Sequence, residues 1–351
     1  METAQATKQT CKRILMKMSN SKRPGTAQPK IAPAALPKIR KILVTTDFSD
    51  ESRAGVRYAV AVAERLNAAV ALLHVIEPHS RMSGVESVLL ASQDSEVIAL
   101  VREKLATLAK SEGKGDMAIT SSVRTGKPFH EITTDARERA ADLIVIATHG
   151  YTGAKRVLLG STAEQVVRHA PCSVLTVPAR TTPKRTGKMP PFKVKRILVP
   201  IDFSNISKDA LPWATFLAAQ FNAELILLHV VEKFPMDYLL GRELMNHTIV
   251  PLMKQAEADL EHLAGSLNKS TGVNISAVVR EGKPFEEICH AAETLGADLI
   301  SLTTHGYTGL QHVWLGSTAE RVVRHSHCPV LAVRAMEARK RLRIRVGDEK
   351  P

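Results

Sequence analysis

Two glycines and a serine are spaced as an anion-binding loop requires. The apolar residues 142–147 lead into His149-Gly150, and Gly160-Ser161-Thr162 follow where a helical periodicity begins. Glycine lets main-chain N–H groups turn towards an anion, and the first turn of a helix adds unpaired N–H groups and a favourable dipole. We therefore expect a phosphate group to bind between Gly150 and Ser161. Ser161 is the expected helix N-cap, with Glu164 completing a capping box.

The same pattern occurs in the second half of the chain. Residues 298–303 lead into His305-Gly306, and Gly316-Ser317-Thr318 precede Glu320, which would complete the second capping box. A simpler interpretation is a tight strand-to-helix connection whose glycines serve only the backbone geometry. Phosphate binding is favoured because each loop follows a strand-like run and shares a strand edge with a carboxylate, that of Asp47 or Asp202.

An internal duplication with an offset of about 155 residues accounts for this repetition. The segment 196–204 repeats 40–49, and Leu-Leu-His-Val at 227–230 repeats 72–75. A repeat of this length indicates two like domains rather than a solenoid. The expected organisation is a basic tail (1–38), a first domain (39–178), a basic linker (179–195), a second domain (196–334) and a basic C-terminal tail (335–351).

Hydrophobic periodicity in the first domain alternates between buried strands and amphipathic helices. The first expected strand runs from Arg40 to Asp47, and the others cover 69–76, 117–124, 142–147 and 173–177. The expected helices cover 50–66, about 94–111 and 129–140, and a fourth begins at Ser161.

Alternating strands and helices predict β-α-β units and therefore a parallel sheet covered by helices on both faces. In such a sheet a ligand binds beyond the carboxyl ends of the strands, at the point where the strand order reverses. Asp47, Val75, Gly126 and Gly150 all follow or end predicted strands. We expect them to line one cleft, with an equivalent cleft in the second domain.

The net charge of +13 lies outside the two domains. Residues 1–40 carry +8, residues 179–196 carry +7 and residues 334–351 carry +4, whereas 41–178 are neutral and 197–333 carry −6. Basic tails can hold nucleic acid non-specifically through counterion release, but no aromatic stacking platform accompanies this charge. We interpret the segments as solvated tails, with weak nucleic-acid binding as the alternative.

Cysteine usage and hydropathy favour a cytoplasmic protein. The four cysteines form no Cys-x-x-Cys pair, which is typical of a reducing compartment. No run of about eighteen apolar residues is present, so no membrane span is predicted. Residues 1–37 lack the apolar core of a secretory signal, and their basic, acid-poor composition leaves an organellar transit peptide as the alternative.

Together these motifs resemble the universal stress protein (UspA-like) family. The resemblance rests on the Asp-Phe-Ser end of the first strand, the Leu-Leu-His-Val strand and the Thr-His-Gly-Tyr-Thr-Gly…Leu-Gly-Ser-Thr-Ala-Glu loop, all present in both copies. It implies an α/β fold of two Rossmann-like (adenine nucleotide alpha hydrolase-like) domains, each a five-stranded parallel sheet with helices on both faces. It also implies that the last strands, 173–177 and 329–333, pair between the domains in an intrachain pseudo-dimer, which would protect two apolar edges. A homodimer of the chain is a further expected arrangement.

The ATP-binding branch of this family carries Gly, two residues, Gly, nine residues and Gly-Ser or Gly-Thr. Gly150 and Gly160 match the second and third glycines in the first copy, as do Gly306 and Gly316 in the second copy. Ala147 and Thr303 replace the first glycine. Alanine preserves a close approach of the backbone, whereas the threonine adds a branched side chain near the expected nucleotide.

By this resemblance, three strand ends and the glycine loop would frame a nucleotide in each copy. The residues expected around adenine and ribose are Thr45, Thr46, Asp47 and Val75, and in the second copy Pro200, Ile201, Asp202 and Val230. The residues expected around the phosphates are Ala147, His149, Gly150, Gly160, Ser161 and Thr162, and in the second copy Thr303, His305, Gly306, Gly316, Ser317 and Thr318.

The resemblance implies a tandem universal stress protein that binds ATP in one or both domains, with Mg²⁺ or Mn²⁺ as a companion ion. It would act in the stress response through a nucleotide-dependent conformation or interactions. No Walker motif is present, so ATP hydrolysis would be slow at most, and no catalytic or metal-ligating residue is predicted. Two alternatives stay open: a nucleotide-free scaffold of the same fold, and an enzyme with His149 or His305 as general base.

Overall fold

The computed structural model describes residues 37–77, 86–113, 117, 119–148, 160–178, 192–232, 237–304 and 316–334, with the backbone alone described for 86–94 and 237–248. All of these residues belong to one compact unit. None of the helices in these ranges is long and apolar enough to cross a membrane.

The first copy alternates strands and helices in chain order. Its elements are β1 (Lys41–Thr45), α1 (Asp50–Leu66), β2 (Ala69–Ile76), α2 (Glu86–Glu112), β3 (Ile119–Thr125), α3 (Pro128–Glu138), β4 (Leu143–Ala147), α4 (Ser161–His169) and β5 (Ser173–Val177).

The second copy repeats this order, with one helix divided in two. Its elements are β6 (Arg196–Pro200), α5 (Asn205–Lys208), α6 (Leu211–Phe221), β7 (Glu224–Glu232), α7 (Asp237–Thr271), β8 (Ile275–Gly282), α8 (Pro284–Thr294), β9 (Leu299–Thr303), α9 (Ser317–His325) and β10 (Val330–Val333).

The strands form one sheet in the order β3-β2-β1-β4-β5-β10-β9-β6-β7-β8. Within each copy all neighbouring strands are parallel, which confirms the predicted pair of five-stranded parallel sheets. The two copies join where β5 and β10 pair antiparallel, with Leu175 opposite Leu331. The expected pairing of the two last strands is therefore present, and it buries both apolar edges.

Two apolar clusters cover the two faces of this sheet. Because side chains alternate along a strand, Val44 of β1 enters one cluster and Leu43 enters the other. The first cluster takes its helical residues from α1, α2, α6 and α7, and the second takes them from α3, α4, α8 and α9. Each cluster runs through both copies, so the two domains share their cores.

The first helix shows how local sequence sets its own limits. The Ser49 side chain accepts a hydrogen bond from the N–H of Ser52, and Asn67 adopts the left-handed conformation that ends the helix. The predicted helix over 50–66 is confirmed. In the second copy the corresponding helix is divided, because Asp209 and Ala210 form a turn before Pro212, which occupies the first turn of α6.

Several predicted boundaries are wrong. The first strand covers Lys41–Thr45 and so ends two residues before the predicted Asp47. Helix α2 begins at Glu86 rather than near Asp94. Helix α3 begins at Pro128 and ends at Glu138 rather than at Ala140, because Ala140 has a positive φ of 51° that a right-handed helix cannot include. Strand β3 covers Ile119–Thr125, two residues later at its start than its alternating pattern predicted.

Candidate functional site

The strand order places the predicted cleft of the first copy at the carboxyl ends of β1 and β4. These neighbouring strands lead to opposite sides of the sheet, so their carboxyl ends form the point where the strand order reverses. Val44 is paired with Val145, and two residues further along lie Thr46 and Ala147. The pairing of Thr45 with Leu73 likewise brings Asp47 beside Val75. The structure therefore brings together the predicted residues from all three strand ends.

The second copy repeats this arrangement at β6, β7 and β9. Leu198 pairs with Ile300, which sets Ile201 level with Thr303. Pro200 pairs with Leu228, which sets Asp202 level with Val230. The two clefts thus have the same backbone construction, while Thr45, Thr46 and Ala147 are replaced by Pro200, Ile201 and Thr303.

The N-terminus of α4 adjoins the first cleft through Gly160. The N–H of Gly160 donates to the carbonyl oxygen of Thr148 at 2.7 Å, which returns the chain to the end of β4. A Cβ atom at residue 160 would lie 3.1 Å from that same oxygen, so the close approach favours glycine. The equivalent bond, from Gly316 to Thr304, is also 2.7 Å. In each copy a short hydrogen bond therefore joins the residue after the fourth strand to the N-cap of the next helix.

The prediction that Ser161 and Ser317 are N-caps is wrong. The N-caps are Gly160 and Gly316, and no side chain among the described residues caps either helix. Both serines are exposed first residues of their helices, and Thr162 and Thr318 are half-buried beside them. The first N–H groups of α4 and α9 have no acceptor within their own helix. Such N–H groups can bind an anion.

Glu164 and Glu320 do not complete capping boxes either. Each glutamate pairs with the arginine one turn later in its own helix at 3.0 Å and with the arginine of the other copy at 3.4 or 3.5 Å. Arg168 and Arg324 supply the positive charges, and all four side chains are partly buried. The carboxylates are drawn away from the helix N-termini because these ion pairs join α4 to α9.

Asp47 and Asp202 are held by the serine two residues later. The carboxylate of Asp47 accepts the N–H of Ser49 at 3.0 Å and its hydroxyl at 2.5 Å, and the carboxylate of Asp202 accepts the N–H of Ser204 at 3.0 Å. Desolvation would raise the pKa of Asp202, but hydrogen bonds from Ser204, Ser207 and main-chain N–H groups outweigh it and lower the pKa. This carboxylate is therefore an anion with a fixed orientation at the strand end.

A histidine that sequence reasoning did not place in the site contacts the backbone in each copy. Nδ1 of His74 lies 2.7 Å from the carbonyl oxygen of Thr46, and Nδ1 of His229 lies 2.7 Å from that of Ile201. The signal was available, because both histidines belong to the repeated Leu-Leu-His-Val strand and directly precede Val75 and Val230. They were overlooked because they do not face the expected ligand.

Four predicted site residues lie outside the described residues. They are His149 and Gly150 in the first loop and His305 and Gly306 in the second. Their roles, including the general-base alternative, stay predictions.

The duplicated region is similar to known proteins over nearly its whole length. The model of the Universal stress protein family matches residues 38–178 and 193–334. A universal stress protein of Methanocaldococcus jannaschii is 37% identical over 140 residues, covering 40% of this chain and 82% of the relative. One of Mycolicibacterium smegmatis is 26% identical over 304 residues, covering 84% of this chain and 96% of the relative. The crystal structure of a universal stress protein from Archaeoglobus fulgidus has a TM-score of 0.59 at 22% identity, covering 84% of this chain and 96% of that one.

Proposed function

Because the chain belongs to the universal stress protein family, with two such domains in tandem, we propose that it binds ATP in one or both clefts. It acts in the stress response through a nucleotide-dependent conformation or interactions. In each copy the three strand ends frame adenine and ribose, and the segment that begins after β4 or β9 holds the phosphates.

One observation carries this proposal: each cleft adjoins a helix that has a glycine N-cap and whose first turn is capped by no side chain of the described residues. An uncapped helix N-terminus presents several N–H groups and the positive end of the helix dipole. Phosphate groups suit such an end because they supply acceptors and negative charge together. We therefore assign the phosphates of the nucleotide to the main-chain N–H groups of the first helical turns, residues 161–163 and 317–319.

Aspartate fits two further parts of the same ligand. The carboxylates of Asp47 and Asp202 end the first strand of each copy, where they suit a ribose hydroxyl or a metal ion that accompanies the phosphates. Mg²⁺ or Mn²⁺ would supply charge neutralisation of the phosphates when bound. No Walker lysine is present in the sequence, so the proposed protein holds ATP as a ligand and turns it over slowly at most.

The ion-pair cluster of Glu164, Arg168, Glu320 and Arg324 supports the conformational part of the proposal. It begins one turn after the phosphate-facing ends of α4 and α9, and it joins these helices across the domain boundary. A displacement of either helix on nucleotide binding changes distances within the cluster. The relative arrangement of the two copies is therefore the expected reporter of nucleotide occupancy.

Calorimetric titration with Mg-ATP tests this proposal in the full-length chain. Gly160→Glu and Gly316→Glu each place a carboxylate where phosphate is expected, and each should remove the binding of its own cleft. Gly265→Glu is the matched control, because a Cβ atom there meets nothing within 4 Å on α7. Binding by the wild-type chain and the control, with loss in the double variant, is the expected result. No binding by the wild-type chain at millimolar Mg-ATP would support the nucleotide-free scaffold instead.

A further inference from the structure

His74 and His229 anchor the main chain at the end of the first strand of each copy. Their Nδ1 atoms lie 2.7 Å from the carbonyl oxygens of Thr46 and Ile201. The N–H groups of these same two residues donate to the carbonyl oxygens of Leu73 and Leu228 at 3.0 and 2.8 Å. In Thr46 and in Ile201, the main-chain N–H and the carbonyl oxygen therefore both form hydrogen bonds with residues of the neighbouring strand.

The chemistry of the contact fixes the tautomer of each ring. A carbonyl oxygen only accepts hydrogen bonds, so Nδ1 of His74 and of His229 must carry the proton. An asparagine side chain can place an amide N–H near the position of Nδ1, whereas leucine fills similar space without any donor. A comparison of the asparagine and leucine variants therefore distinguishes the loss of the hydrogen bond from the loss of ring packing.

The ring lies on the opposite face of the sheet from the expected ligand. Side chains alternate along a strand, and Val75 packs against the cluster that includes α3 and α4. His74 therefore points to the other face, where its ring lies 4.7 Å from that of Phe48. In the second copy the ring centroids of Phe203 and His229 are 4.6 Å apart. The histidine acts on the cleft through the backbone and not by touching the ligand.

A bulky residue in an unusual conformation follows each anchored peptide. Phe48 and Phe203 have φ values of 65° and 61°, which large side chains rarely adopt. Such conformations persist where the surroundings impose them, and they cluster at functional sites. The histidine ring packs on each phenylalanine and bonds the carbonyl two residues before it, so it supports the local conformation from both sides.

We infer that His74 and His229 are positioning residues that set the direction of the Asp47 and Asp202 peptides for recognition of the adenine base. This inference rests on the proposed function. The carbonyl of Thr46 and the N–H of Asp47 belong to one trans peptide group and point in opposite directions. Holding the carbonyl towards His74 turns the N–H of Asp47 away from the face that His74 and Phe48 occupy. The contact of His229 with the Ile201 carbonyl orients the Asp202 peptide in the same way, and the N–H of Asp202 also bonds its own carboxylate.

The two copies should depend on their histidine to different degrees. In the first copy the hydroxyl of Thr46 also accepts the N–H of Phe48 and meets the hydroxyl of Ser52, both at 3.0 Å. Ile201 has no hydroxyl group, so the second copy lacks this second anchor. Loss of the His229 donor should therefore weaken adenine binding more than loss of the His74 donor.

The experiment measures the affinities for Mg-ATP and Mg-GTP in full-length chains with one cleft blocked. Gly316→Glu isolates the first cleft for His74→Leu and His74→Asn, and Gly160→Glu isolates the second for the same changes at His229. We expect the leucine variants to bind ATP roughly tenfold more weakly, as befits one lost hydrogen bond, with the larger loss for His229→Leu. The asparagine variants should stay within about threefold of the parent. The ratio of the GTP to the ATP dissociation constant should fall in the leucine variants only.

His169→Leu is the matched control, because its Nδ1 also contacts a backbone carbonyl, that of Gln165 at 2.9 Å, and its ring packs on Phe129. Equal losses for ATP and GTP, or equal behaviour of leucine and asparagine, would overturn the positioning role while leaving the proposed function intact. Absence of ATP binding by the wild-type chain would overturn both. A ¹⁵N spectrum of the imidazoles in the nucleotide-free protein checks separately that Nδ1 is protonated.

Discussion

Arg168 on α4 lies 3.4 Å from Glu320 on α9, so an ion pair joins the helices that follow the two glycine loops. Arg324 and Glu164 form the reciprocal pair at 3.5 Å. The four side chains are 24–30% exposed, which places the cluster between a solvated surface pair and a fully buried one. Its contribution to stability should accordingly exceed that of an exposed pair.

Glu320→Gln should lower the free energy of unfolding by about 1–2 kcal/mol, because one neutralised carboxylate weakens contacts with two arginines in a partly buried setting. Urea unfolding of the full-length chain measures the change. Lys283→Met is the control, since the Lys283–Glu286 pair has side chains that are 70% and 52% exposed. Its effect should stay within about 0.5 kcal/mol. Equal effects of the two substitutions would contradict a structural role for the cluster.

Leu331→Ala should destabilise the protein by about 2–5 kcal/mol, because it opens a cavity at the strand pair that joins the two copies. Leu331 is 1% exposed and lies opposite Leu175 across the antiparallel junction. Thermal or urea unfolding checks the value, with Leu100→Ala, at a residue 65% exposed, as the control. If both leucines proved equally dispensable, the shared sheet would not be a source of stability.

Gly282→Ala should destabilise the protein by at least about 1 kcal/mol, because residue 282 has a φ of 152° and a new Cβ would lie 2.7 Å from Cγ of Glu287. Gly265→Ala on α7 should instead raise stability by up to about 1 kcal/mol, since alanine is the better helix former. Unfolding midpoints of the two variants should therefore move in opposite directions. Midpoints that move together would contradict the backbone conformation at Gly282.

His74 should make stability depend on pH below neutrality. Its burial lowers the pKa of the imidazole, and the charge of Lys104 lowers it further, while the Thr46 carbonyl and Asp47 act in the opposite direction. The unfolded chain then binds more protons than the folded one between about pH 6.5 and the lowered value. Stability present above about pH 6.5 should be lost as the pH falls, by at most about 1.4 kcal/mol per pH unit. Unfolding of wild type and His74→Asn from pH 8 to 5 should give converging curves, and parallel curves would contradict this.

Much of the fold could be predicted because the duplication repeats every local signal. The helix over 50–66 follows from its apolar spacing and from Ser49. The pairing of β5 with β10 was implied by the family resemblance, and it agrees with the apolar edges that would otherwise be exposed. The break between α5 and α6 was missed, although Pro212 marks it, because the first copy has no proline there.

The site was predicted less completely, because a motif does not show which of several possible partners a side chain binds in the folded protein. Ser161 and Glu164 have the spacing of a capping box. In the structure, however, the N–H of Gly160 donates to the carbonyl oxygen of Thr148, and Glu164 forms ion pairs with Arg168 and Arg324. His74 was missed for a related reason. Its role depends on a hydrogen bond to the carbonyl oxygen of Thr46, which the residue types alone do not reveal.

The most direct test of nucleotide binding at the N-termini of α4 and α9 is a ¹H–¹⁵N NMR titration of the full-length chain with Mg-ATP. Phosphates at the helix N-termini predict saturable shifts of the amides of residues 160–163 in the first copy and 316–319 in the second. A base at the strand ends predicts shifts of the amides of Asp47 and Val75, or of Asp202 and Val230. Binding in a cleft requires that the helix amides and the strand-end amides of the same copy shift together, and at least one copy must show both. Unchanged amides at these positions in millimolar Mg-ATP, or shifts confined to other surfaces, would contradict the account.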